Sequence, residues 1–250
     1  MFSYYSKLSS EVYNIDNYIG LSFGDVEFYI DRLAACHGKI LEPCVGTGRI
    51  LIPLLEQGLH VEGFDASEEM LQICRQHCDH KGLFPRLFID QMQSFSLDTR
   101  YEAIIIPTGS FLLLQKREDS IQALKNFYHH LHEGGKILID LFLQTDFTIG
   151  SASTRTWEVD KDHMITLESK MVEVNHIDQY TITHNRYEKW KNGELIQTEL
   201  ERFPLRWYGV EEFRTLLEQI GFKNIVISAN YRYGEYPKKS GDVITFEANR

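Results

Sequence analysis

Apolar and polar positions along this chain change period in a way that predicts its elements. Short apolar runs at Lys39 to Leu41, His60 to Phe64, Arg86 to Ile89, Tyr101 to Ile106 and Lys136 to Phe142 read as strands, with helical spacing between them. The run from Tyr101 to Ile106 is of the kind buried on both faces of a parallel sheet. Thr47 to Glu56 predicts a first helix, mildly interrupted by Pro53 and ended by Gly58. Ser67 reads as the N-cap of the next, with Glu68 and Glu69 in its first turn. Lys116 to Leu131 predicts another, and Val210 to Ile220, apolar at 213, 216, 217 and 220 and ended by Gly221, the last. Asn224 to Ala229 and Asp242 to Ala248 give two final strands. The alternation predicts an α/β fold with a doubly wound, mostly parallel seven-stranded sheet. Residues 1–38 form a helical leader carrying Tyr4, Tyr5, Tyr13 and Tyr18.

Between Thr154 and Arg206 the helical spacing disappears and β-branched and aromatic residues take over. Lys191-Asn192-Gly193-Glu194 is a strong hairpin signal, and Asp160-Lys161-Asp162 and His176-Ile177-Asp178 mark two more turns. The pattern predicts a four-stranded antiparallel meander at 154–160, 163–174, 179–190 and 194–206. The chain thus divides into a leader (1–38), a core (39–150 with 207–250) and an inserted β unit (151–206). Ligands of open α/β sheets bind beyond the carboxyl ends of the strands, and the insertion begins just past that end of the fifth strand. It is expected to cover the mouth of a site there, as an acceptor lid, a homodimer surface or both, with the leader closing the other side.

Composition narrows the function classes. The formal net charge of −10 argues against a nucleic-acid partner, which calls for a basic face. No apolar run approaches a membrane span, and Met1 to Ser10 is unlike a signal peptide, so a cytoplasmic protein is expected. Four cysteines, Cys36, Cys44, Cys74 and Cys78, suit free thiols in a reducing compartment. Cys74, His77, Cys78 and His80 share one helix, but a cluster-binding triad would need a third cysteine where Lys81 stands, and no metal is expected. His129, His130 and His132 suit a helix C-terminus.

The chemistry concentrates in residues 40–48, Ile-Leu-Glu-Pro-Cys-Val-Gly-Thr-Gly, followed by Gly63-Phe64-Asp65-Ala66-Ser67 and Met70. A strand ends in Glu42 and a Gly46-x-Gly48 turn opens a helix, while the next strand ends in Asp65. Such a unit exposes backbone N–H groups at its first turn and offers an acid to ribose hydroxyls at its second strand tip. A dinucleotide fold would require a third glycine at 51, which is Leu51, and Glu42 would repel a pyrophosphate. A cationic nucleoside cofactor fits instead.

These residues resemble the class I methyltransferases dependent on S-adenosylmethionine (SAM), whose motif reads acid-x-Gly-x-Gly-x-Gly. Glu42, Cys44, Gly46 and Gly48 fall on it, with Cys44 in place of the first glycine. The resemblance implies a SAM site that also uses Asp65, Ala66 and Met70, with Asp90, Gln91 and Met92 along the adenine and Pro107 at the fourth strand tip. It covers about residues 36 to 145 and extends by layout to a branch with an antiparallel insertion, which includes enzymes methylating small amines. The loop Pro107-Thr108-Gly109-Ser110-Phe111 lacks the Asn-Pro-Pro-Tyr of DNA and protein methyltransferases. It resembles instead the small-molecule branch, where a Ser-Phe pair borders the methyl donor, which implies Ser110 and Phe111 as candidates for binding a small-molecule acceptor; leaders in this family commonly carry a tyrosine over the cofactor sulfur, which implies Tyr13 as the candidate catalytic residue. His163, His176 and His184 of the meander read as exposed strand residues. Two alternatives stay open: an aminopropyl transferase, although Ile106 to Phe111 lacks its paired acids, and a non-catalytic SAM-binding or scaffold protein.

Overall fold

The apolar runs assemble one central sheet. A computed structural model describes residues 5–250, so Tyr4 lies outside it. Strands β1 (Lys39–Pro43), β2 (His60–Asp65), β3 (Leu87–Ile89), β4 (Tyr101–Ile106) and β5 (Leu131–Phe142) are mutually parallel. The meander follows as β6 (Ala152–Glu158), β7 (His163–Asn175), β8 (Tyr180–Lys191) and β9 (Glu194–Arg206), a separate antiparallel sheet in that order. Finally β10 (Lys223–Ala229) and β11 (Val243–Asn249) return to the first sheet, whose order is β10-β11-β5-β4-β1-β2-β3. The order reverses between β1 and β4, which opens a crevice at the carboxyl ends of those strands.

Helices α1 (Lys7–Asp16), α2 (Asp25–Leu33), α3 (Leu51–Glu56), α4 (Glu68–His80), α5 (Arg117–His130) and α6 (Val210–Ile220) complete the chain. Ser67 caps α4 as its sequence predicts, with Oγ accepting from the Met70 N–H at 3.1 Å. Helix α3 is shorter than the expected Thr47 to Glu56. Residues 46 and 48 take φ of +56° and +91°, so the chain turns before it coils. Pro53 then falls in the first turn, where its missing N–H costs nothing. Strand β5 starts earlier than Lys136, at Leu131, which places His132 in the strand; a register irregularity between Tyr101 and Ala103 absorbs the extra residues. Asn192 and Gly193, at φ of +51° and +83°, make the hairpin turn their residue types predict.

Two apolar layers sandwich the parallel sheet. Phe127, Ile139, Phe213 and Phe246 lie in one, and Tyr29, Leu33, Ile52 and Leu138 in the other, all fully buried. Burial of each such side chain is worth roughly 1.5–3 kcal/mol. The leader does not act as one unit. Helix α2 packs into the second layer through Val26, Phe28, Tyr29 and Leu33. Helix α1 instead joins the meander, with Leu8 and Val12 against Trp157, Ile165 and Tyr187. The Leu8 N–H and Ser6 Oγ both donate to Glu199 of β9, and Lys189 of β8 pairs with Glu11 at 2.8 Å. So α1 lies on the same side as the meander, not opposite it. Among the described residues, no helix is long and apolar enough to cross a membrane.

Candidate active site

Beyond the carboxyl ends of β1, β2 and β4 lies a cavity of about 660 Å³. Its floor is the turn after β1. The Gly46 N–H donates to Asp65 Oδ2 at 2.9 Å, and the Ser67 N–H donates to Asp65 Oδ1 at 2.9 Å. One carboxylate thereby locks the first turn to the start of α4, with lone pairs remaining on both oxygens. Burial pushes its pKa above the ordinary value, while the N–H groups around it act to lower it. Cys44 sits in the left-handed region at φ +57°, the backbone that a glycine would adopt freely. Gly48 has a packing reason: a Cβ there would stand 2.8 Å from Cys74 Sγ.

A buried polar network supports the wall. Thr108 lies at φ +59°, unusual for a β-branched residue. Its N–H donates to Asp140 Oδ2 at 3.0 Å, and its Oγ1 accepts from Arg49 Nη2 at 3.2 Å. Arg49 Nη2 also reaches Asp25 Oδ2 at 2.6 Å, and Thr245 Oγ1 donates to Asp140 Oδ1 at 2.7 Å. Burial drives the Asp140 carboxyl up to about 6, against the pull of its donors. The Pro107 carbonyl accepts from both the N–H and the Oγ of Ser110, at 3.2 and 3.0 Å.

Of the candidate residues, Tyr13, Cys44, Gly46, Asp65, Ala66, Met70, Asp90, Gln91, Met92 and Ser110 line the cavity. Glu42, Gly48, Pro107 and Phe111 are not on its lining. Glu42 lies one layer behind, 2% exposed, with Oε2 free of any hydrogen-bond partner and burial pushing its pKa well up. Phe111 is fully buried against Tyr208 and Phe213, so it is a core residue. Tyr13 stands over the turn, its ring carbons 3.5 Å from where a Gly46 Cβ would be, and burial raises its phenol to about 12.

Other walls were not singled out from sequence. Tyr5, Thr108, Gln115, Phe142, Phe203 and Leu205 all line the cavity. Phe203 and Leu205 alternate along β9, and Phe142 ends β5, so strand period and polarity carried a signal for these three. Gln115 carried none. The Tyr5 ring meets Tyr13 edge-on at 5.6 Å and Phe203 at 6.3 Å.

Residues 40–135 match the family model described as "Methyltransferase domain". The match spans the turn and the strand tips that build the cavity floor. Over that stretch the chain is similar to methyltransferase domains. It is 27% identical over 215 residues to YqeM of Bacillus subtilis (strain 168), provisionally named a methyltransferase, covering 85% of this chain and 84% of that one. It is 26% identical over 224 residues to a glycine/sarcosine N-methyltransferase of Aphanothece halophytica, covering 86% and 78%. The fold matches the sugar N-methyltransferase KedS8 from Streptoalloteichus sp ATCC 53650 with a TM-score of 0.74 at 18% identity, over 100% of this chain and 97% of that one. The cavity has acids placed to suit a cationic nucleoside: Asp65 and Asp90 at two strand tips, with a Glu42 oxygen that lacks a hydrogen-bond partner behind the turn.

Proposed function

We propose that the protein transfers a methyl group from SAM to the amine of a small molecule. The observation that carries this reading is the single cavity wall on which Asp65, Asp90 and the Gly46 turn converge. Asp65 would accept the ribose hydroxyls with its remaining lone pairs. Asp90, Gln91 and Met92 would border the adenine, with Ala66 and Met70 beside the ribose and Cys44 and Gly46 beside the amino-acid part. Glu42 would stand behind the wall as a buried carboxyl, with Gly48 and Pro107 shaping the turns.

Bound SAM supplies a methyl group already activated on a sulfonium centre. The chain's own work is positioning, which can lower a barrier by ~7–11 kcal/mol in well-oriented cases. Neither Tyr13 nor Cys44 acts as a base near neutrality. The Tyr13 phenol, at about 12, stays protonated, and burial holds the Cys44 thiol well above its ordinary value. An amine needs no such base once it is neutral, whereas a hydroxyl acceptor would. Tyr13 therefore acts as an orienting wall, and Tyr5 and Phe203 exclude water with it. The meander contributes this lid through β9.

A small acceptor is further supported by the Pro107 carbonyl, which is spent on Ser110 and so is not offered to a flipped base or a protein amide. The test is release of S-adenosylhomocysteine (SAH) from SAM with a panel of small amines, phenols and carboxylates. Amine-dependent release is expected. Release at one rate with and without every amine would contradict the reading.

A further inference from the structure

Two adjacent residues of the cavity wall hold left-handed backbone. Thr108 has φ of +59° and Gly109 of +74°. With Ser110 they line the cavity on the β4 side of the crevice, across from the tips of β2 and β3. Glycine adopts such a conformation freely, and a β-branched residue does not. Strain of this kind persists only where the surroundings enforce it, and it gathers at sites that need a fixed geometry.

The enforcing groups stand at the end of β5. Asp140 Oδ2 accepts the Thr108 N–H at 3.0 Å, and two residues on, the Phe142 ring packs where a Cβ on Gly109 would come within 2.5 Å of it. Asp140 is fully buried, and its other donors come from remote segments. Thr245 Oγ1, on the facing residue of β11, donates to Oδ1 at 2.7 Å, and the Tyr231 hydroxyl of the β10–β11 loop donates to Oδ2 at 3.2 Å. The Tyr29 phenol of α2 faces the carboxyl as well. The charges that act on these phenols, besides Asp140, are Glu42 for Tyr29 and the Arg49–Asp25 pair for Tyr231. Burial raises the Asp140 carboxyl to about 6, so it is ionised at neutrality and gains a proton as pH falls through that value. A hydrogen bond to a charged oxygen is roughly twice as strong as one to a neutral oxygen. The hydroxyls of Thr245 and Tyr231 can rotate and accept from the protonated acid, but the Thr108 N–H can only donate. Protonation therefore weakens the hold on residue 108.

We propose, resting on the methyl-transfer reading above, that Asp140 is a positioning residue for methyl transfer, whose carboxylate fixes Thr108 and Gly109 in the left-handed turn that presents Ser110 to the acceptor. Asp140 is off the cavity lining and acts through Thr108. Turnover thereby depends on a charge that never meets the reacting atoms.

SAH release by the full-length protein, with saturating SAM and the fastest amine of the panel above, tests this. Asp140→Asn keeps the shape and removes the charge. Its kcat/KM for the amine should fall by about tenfold or more, while its Kd for SAH by calorimetry changes by less than about threefold. Thr108→Gly takes the left-handed backbone without help, so Asp140→Asn should lose much less activity in that background. The ratio of wild-type to Asp140→Asn activity, from which ionisation of the amine cancels, should shrink as pH falls below about 6. Tyr231→Phe removes one donor and keeps the carboxylate; it should repeat the pattern at about threefold, and it decides the matter if Asp140→Asn does not fold. Full activity in both variants, equal losses with and without Thr108→Gly, a ratio constant with pH, or SAH affinity lost in step with turnover would overturn the proposal. Absence of amine-dependent release from the wild type would instead bring down the reading on which it rests.

Discussion

Arg49 Nη2 stands 2.6 Å from Asp25 Oδ2, and both side chains are almost wholly shielded from water. The pair ties the start of α2 to the residue after the Gly46-x-Gly48 turn. Burial acts to raise the pKa of Asp25, but the hydrogen bond and charge of Arg49 outweigh it and leave the carboxyl below its ordinary value. Arg49→Leu leaves that carboxylate buried and uncompensated, and should cost about 3–5 kcal/mol. The Asp25→Leu/Arg49→Leu double variant should cost less than the sum of the singles. Urea denaturation of the four proteins measures this, and simple additivity would contradict the coupling.

Cys44 at φ +57° makes a second expectation. Alanine ordinarily stabilises a chain over glycine by roughly 0.4–1 kcal/mol, but a left-handed site reverses this. Cys44→Gly should therefore be more stable than Cys44→Ala in urea. The usual order, with alanine ahead, would show that the turn is unstrained.

His130 gives a pH dependence. Its Nε2 accepts from the Leu97 N–H at 3.0 Å and its Nδ1 donates to the Asn126 carbonyl at 2.8 Å, so the ring is neutral. Burial holds its pKa below the ordinary imidazole value. A depressed folded-state pKa stabilises above the unfolded value, about 6.5, and that stability is lost as pH falls through the folded value. Asn126 also donates to the Met92 carbonyl, so the cavity loop shares the effect. Below about pH 6.5, wild-type stability should fall more steeply than that of His130→Gln. Equal slopes would contradict this.

The sequence carried the sheet because β1, β2 and β4 are short apolar runs between polar helices, and a parallel strand buried on both faces has no other pattern. It carried Asp65 and Ser67 because a strand-end acid and an N-cap are local features. It did not carry the fate of Phe111, since an aromatic after a strand tip reads the same whether it faces the cavity or Phe213. Nor did it show that α1 would leave the leader for the meander. That depends on Glu199 and Glu201 of β9 receiving the N–H groups of Leu8 and Tyr5, contacts more than 190 residues apart in sequence. Thr108 was legible as a turn but not as the junction of two buried charged groups, Arg49 and Asp140, that lie far from it in sequence.

Tyr13 separates orientation from proton transfer. With its phenol at about 12, Tyr13→Phe should change turnover by less than about tenfold and leave the pH–rate profile near neutrality unmoved. A profile that loses a limb in the variant would show that the phenol carries a proton in the reaction.

Asp65 holds Gly46 through its carboxylate and lines the cavity, so cofactor binding depends on it most directly. Calorimetric titration with SAH should show one site per wild-type chain. Asp65→Ala removes hydrogen bonds worth ~1.5–3 kcal/mol each to a charged group, non-additively, and should weaken binding by about tenfold or more while the protein remains folded. Absence of binding to the wild type, or undiminished affinity in folded Asp65→Ala, would contradict it.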